Sequence, residues 1–146
     1  MTLTPALLQD SLTGARSTNS RGTSIMTKRS RYSFSDTIAK LTRAMTDGGN
    51  AIFATIDQAA AAKDVGLTLR PTALIVFGNP KGGTPLMDAF PLVALELPLK
   101  LLLWEENGSV NLAYVPISEI AARYGVTGMD ARVVAIDRAV DALTVA

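Results

Sequence analysis

The chain has 146 residues, close to the commonest single-domain size, so one core is expected. Hydrophobic residues make up 48% and charged ones 18%, which favours a folded chain over a disordered one. The sequence contains neither Cys nor His, which excludes disulfides, thiolate nucleophiles, Cys/His zinc sites and any Ser-His-Asp triad.

The same absence removes the commonest general base near neutral pH. A metal would have to be a hard cation on oxygen ligands, and no Asp/Glu cluster has the loop spacing for one. No metal and no cofactor are therefore expected. No apolar run reaches the roughly 18 residues of a membrane span; the longest, 92–104, is interrupted by Glu96, Pro98 and Lys100. The N-terminus lacks a secretory apolar region, since only Ala6, Leu7 and Leu8 cluster there. These features point to a cytoplasmic protein.

Charge divides the chain near residue 32. Residues 1–32 hold five basic side chains against Asp10 alone, a net +4, whereas the remainder holds nine basic against twelve acidic, a net −3. The first segment is rich in Ser and Thr and has no sustained apolar period, so residues 1–31 read as a disordered basic extension. Met26 would serve as an alternative start for the same domain, and the Arg/Ser-rich composition also fits an organelle transit peptide. The stretch Lys28-Arg29-Ser30-Arg31 raises nucleic-acid contact, but the acidic domain that follows would repel phosphate.

Residues 32–146 read as one α+β domain. A short first strand is expected at residues 29–32. Ser33 offers an N-cap to a helix carrying Ile38, Leu41 and Met45 on one face and ending at Gly48-Gly49. A strand at 51–56 leads to Asp57, the cap of a second helix over residues 58–65. Residues 72–77 form a continuous apolar run of the kind found in buried strands. The loop 78–83 precedes Thr84-Pro85, an N-cap and first-turn proline for a short helix to Phe90. Asn107-Gly108 predicts a tight hairpin between strands 99–105 and 109–115. Two helices close the chain, from Ser118 to Tyr124 and from Asp130 to Thr144. Phe53, Phe77, Phe90 and Trp104 are the large anchors available to the core, and the secure hairpin favours a mostly antiparallel sheet packed with helices.

Four segments taken together, 53–57, 72–84, 95–100 and 114–124, resemble the bacterial and archaeal family known as domain of unknown function 302. The resemblance covers residues 32–125. It implies a fold similar to that of the TATA-box-binding protein, with helices against a curved antiparallel sheet, and a homodimer. It brings no established activity. Many members of that family carry Asp-His where this chain has Asp57-Gln58, and a neutral amide can only hydrogen-bond there.

The candidate ligand-binding residues are Asp57, Gln58, Asn79, Lys81, Thr84 and Lys100. Asp57 stands at a strand end, where sites gather on loops, although helix capping is its plainer role, and Gln58 would be its neighbour. The segment from Gly78 to Thr84 fails as a phosphate loop, because Lys81 is three residues before Thr84 and Pro80 lacks an N–H. A weaker expectation is a small anionic ligand at the N-terminus of the Thr84 helix, with Lys81 nearby. Glu96 and Lys100 share a face in extended chain and would pair at an edge or a dimer contact, or simply face solvent.

With no complete catalytic motif, the leading expectation is a dimeric domain that binds a small molecule or partner without catalysis. An enzyme using Asp57 with Lys81 or Lys100 is the main alternative, since a buried lysine can act as base or nucleophile. Weak nucleic-acid binding through the basic tail is a third.

Overall fold

The computed structural model describes residues 16–18 and 24–145. Six strands form one antiparallel sheet: β1 (Arg16–Thr18), β2 (Ser24–Ser30), β3 (Ala51–Asp57), β4 (Thr72–Gly78), β5 (Leu99–Glu106) and β6 (Ser109–Tyr114), in the order β1-β2-β6-β5-β4-β3. Five α-helices accompany it among the described residues: α1 (Phe34–Asp47), α2 (Gln58–Asp64), α3 (Pro80–Ala89), α4 (Ile117–Arg123) and α5 (Asp130–Leu143). A 3-10 turn at Pro91–Leu95 joins α3 to the approach of β5. The architecture is the expected α+β one.

The sheet has one covered and one open face, and the alternation of side chains shows which is which. Ala73, Ile75 and Phe77 on β4, Leu101 and Leu103 on β5, and Val110, Leu112 and Tyr114 on β6 are all buried under the helices. Their neighbours Leu74, Val76, Leu102, Trp104 and Ala113 lie on the other face and are half-buried. Leu41, Met45 and Val140 bring α1 and α5 down onto the covered layer. A second cluster, Leu86, Val93, Ile117, Ile120 and Val133, joins α3, the 3-10 turn, α4 and the start of α5.

Local chemistry accounts for the element boundaries. The Ser33 hydroxyl accepts from the Asp36 amide and starts α1. Gly49, at φ 84°, ends it in the left-handed conformation that glycine adopts without strain. Asn107 and Gly108 both take positive φ and close the β5–β6 hairpin.

Two expectations about the sheet and its core need correction. The strand expected at 29–32 is β2, which spans Ser24–Ser30, pairs with β6 over five positions, and carries the earlier β1 along its other side. The ordered sheet therefore includes residues assigned to a disordered extension, while residues 1–15 and 19–23 lie outside the described part. Polar composition concealed the strand because its polar groups are satisfied in place. Ser30 and Thr37 share a buried hydrogen bond of 2.7 Å. The Lys28 ammonium donates to the Asp141 carbonyl and carboxylate, each at 2.8 Å, and to the Thr144 hydroxyl at 2.7 Å. The second correction concerns Phe53, which is 56% exposed and is no core anchor.

Lys28 thus ties the C-terminal end of α5, where the helix carbonyls concentrate partial negative charge, to the sheet. Its side chain is 17% exposed against 62% for Asp141, so solvent screens part of the attraction. Lys28→Met is expected to destabilise the fold by about 1–2 kcal/mol. Urea unfolding would show this as a lower midpoint at unchanged slope.

Candidate functional site

A cleft of about 660 Å³ opens on the helical side of the sheet between α3 and α5. Its floor is the end of β4 at Gly78 together with Leu97, Pro98 and Leu99, and Gly48, which follows α1, also lines it. The walls are apolar: Leu86 and Met87 from α3, Ile136, Val140 and Leu143 from α5. The cleft is roomy because α5 turns small side chains into it. Ala131, Ala135 and Ala139, spaced one helical turn apart, line it and remain exposed.

Phe53 stands at the rim because of a bulge. Ile52 pairs with Phe77 and Ala54 with Val76, so Phe53 is the extra residue between them. A bulge re-aims a side chain, and here the ring comes to rest beside Gly78, with Cε2 3.9 Å from the point a Cβ on Gly78 would occupy.

The polar residues of the cleft follow from the start of α3. This helix begins at Pro80 with Asn79 as its cap, four residues before the expected Thr84 start. Asn-Pro supplies a capping side chain and a pre-set first-turn φ. Pro85 consequently falls inside the helix, where it has no N–H to give to the carbonyl of Lys81 one turn earlier. Arg132 Nη1 from α5 takes that carbonyl instead, at 3.1 Å. The amides at the N-terminus of α3 are already engaged, Lys81 with the Asn79 side chain and Gly82 and Gly83 with the Asn79 carbonyl. That engagement argues against the anion-binding helix end expected from the sequence.

Of the candidate residues, Asn79 and Thr84 line the cleft, and Lys81 holds Arg132 through its main chain. Asp57 and Gln58 lie elsewhere. Asp57 pairs with Ala73 at the far end of β3 and caps α2 by accepting from the Ala60 amide at 2.9 Å. Phe53, at the rim, stands four residues before Asp57 on the same strand, so roughly 13 Å of strand separates Asp57 from the cleft. Lys100 is exposed opposite Val76, whose side chain lies on the open face. The structure does not bring Asp57 together with Lys81 or Lys100. Among the described residues, no group of three or more carboxylates is placed to hold a metal ion.

Glu96 pairs with α4 rather than with Lys100. Its Oε1 accepts from the Tyr124 hydroxyl at 2.8 Å and from Arg123 Nη1 at 3.1 Å. The Tyr124 hydrogen bond, aided by the Arg123 charge and opposed by partial desolvation, holds the Glu96 carboxyl below its ordinary pKa.

Residues 26–143 match the family described as "Domain of unknown function DUF302". The chain belongs to this family. A solved member, an uncharacterized conserved protein DUF302 from Bacillus stearothermophilus, superposes with a TM-score of 0.76 over 82% of this chain and 94% of that one, at 17% identity. Three curated relatives are 38% identical over 101 residues: the fluoride-specific ion channels FluC 1 of Brucella suis biovar 1, FluC 1 of Brucella abortus biovar 1 and FluC 2 of Brucella melitensis biotype 1. That match covers 68% of this chain but 40%, 37% and 37% of theirs, so the chain spans about two fifths of their length. Among the described residues of this chain, no helix is long and apolar enough to cross a membrane.

The lowered pKa of Glu96 carries a definite sign. The unfolded chain protonates this group at a higher pH than the folded one, so its contribution is complete above the ordinary glutamate pKa. It is lost as the pH falls from there through the lower folded value. The stability gap between the wild-type chain and Glu96→Gln is therefore expected to be largest at neutral pH and to shrink by about pH 3. Urea titrations of both chains at the two pH values would check it.

Proposed function

We propose that this DUF302 domain is a non-catalytic binding module that holds a small, largely apolar molecule in the cleft between α3 and α5. The cleft itself carries the reading. Its volume lies within the usual range for drug-sized ligands, and its lining is apolar with a few convergent polar groups, the ordinary character of such sites. The enzyme alternative loses its support from the separation of Asp57, Lys81 and Lys100. In the Brucella relatives the matched segment is two fifths of proteins named as fluoride channels. An accessory ligand-binding part beside a pore is the role this reading assigns to such a segment.

Ala135→Trp would fill the cleft from an exposed position. Binding of the neutral dye phenylnaphthylamine, followed by fluorescence, is expected to weaken at least about tenfold, near 1.4 kcal/mol, with the melting temperature little changed. Unaltered dye affinity would refute the site.

A second part of the reading is self-association through the open sheet face. The observation behind it is the row Leu74, Val76, Leu102 and Trp104, half-buried on the face opposite the core, joined at the edge by Ile56, which is 40% exposed. Apolar patches of this kind mark interaction surfaces. The apolar run 92–104 itself offers less, since Val93, Leu101 and Leu103 within it are core residues. Native mass spectrometry at micromolar concentration is expected to show twice the chain mass, and a monomer would overturn this part.

A further inference from the structure

The lining of the cleft carries a charge signature that narrows the ligand. Among the described residues that line it, Arg132 is the one charged residue; the others are apolar or neutral. Among the described residues, no carboxylate forms an ion pair with Arg132. It is held by the single bond to the Lys81 carbonyl, itself freed by Pro85. A guanidinium has five N–H donors in a rigid fork, and this bond uses one. Arg132 is exposed within the lining, and Asn50, Asn79 and Thr84 are its uncharged polar side chains. The α3 amides, engaged with Asn79, play no part.

We infer that the ligand is an amphipathic monoanion, its apolar body lying between α3 and α5 and its carboxylate or sulfonate-like head on Arg132. The inference rests on the cleft being a binding site at all. Small alanines at 131, 135 and 139 admit the body, while the lone cation selects the head. A carboxylate or sulfonate presents paired oxygens that match the fork, which a hydroxyl or a neutral amide cannot do. A dianion would leave charge uncompensated beside apolar walls.

Two dyes with the same apolar rings separate these claims: anilinonaphthalene sulfonate carries an anion and phenylnaphthylamine does not. Each would be titrated fluorimetrically into the full chain and into Arg132→Gln, Arg132→Lys and Ala135→Trp, with circular dichroism confirming the fold. Arg132→Gln is expected to weaken the sulfonate dye about three- to tenfold and the neutral dye by less than about twofold. Arg132→Lys, which keeps the charge, should recover part of that loss. Equal weakening of both dyes by Arg132→Gln, or no effect on the sulfonate, would overturn the inference while leaving the cleft reading intact. Failure of Ala135→Trp to weaken either dye, or absence of binding by the wild-type chain, would remove the cleft reading and this inference with it.

Discussion

The molecule is organised by the need to cover one face of a six-stranded sheet with too little helix. Ile75, Phe77, Leu101, Leu103 and Leu112 form a layer with almost no exposure. Burial of these side chains, each contributing about 1.5–3 kcal/mol before conformational entropy is subtracted, is what α1 and α5 exist to complete. Helices pack about 8–10 Å apart when ordinary side chains meet. Here α5 presents alanines on the side towards α3, and α3 offers Gly82 and Gly83. Small side chains leave α3 and α5 incompletely packed against each other, and the cleft is the part of their contact that was never filled.

The polar features of the cleft descend from backbone rules. Asn79-Pro80 starts α3 early, the early start places Pro85 inside the helix, and the proline leaves a carbonyl without its usual donor. An unpaired backbone acceptor near an apolar wall is costly, and Arg132 resolves it from the neighbouring helix. One proline thus determines where a cation of α5 comes to rest.

Much of the fold was legible in the sequence. Ser33, Gly48-Gly49, Asp57 and Asn107-Gly108 mark boundaries that the structure reproduces, because caps and tight turns are made by the residues that signal them. What escaped depends on partners far away in the chain. Ser24–Ser30 looks like polar tail until Asp141, Thr144 and Thr37 are in place to satisfy it. The start of α3 was misread because Thr84-Pro85 and Asn79-Pro80 offer the same pattern, and only the tertiary fold chooses between them. The site was less legible still. Phe53 reads as core until the bulge is known, and Arg132 carries no motif; Pro85 was the one signal, since a helix beginning at Asn79 implies an orphaned carbonyl at Lys81. Asp57 caps α2, the plainer of the two roles that its position offered.

The place of β2 in the sheet has a kinetic side. Its ladder partner is β6, and the Lys28 ammonium waits for Asp141, 113 residues later. The β3–β4 and β5–β6 pairings close short loops and can form while the chain is still being synthesised. Early in synthesis β2 has only the short β1 to pair with, and its other edge must wait for β6 until most of the protein has left the ribosome. Loop closure over such separations slows folding, and an unpaired strand edge invites association with other chains. A polar sequence in β2, rich in hydroxyls and carrying Lys28 and Arg29, keeps that early strand soluble during the wait.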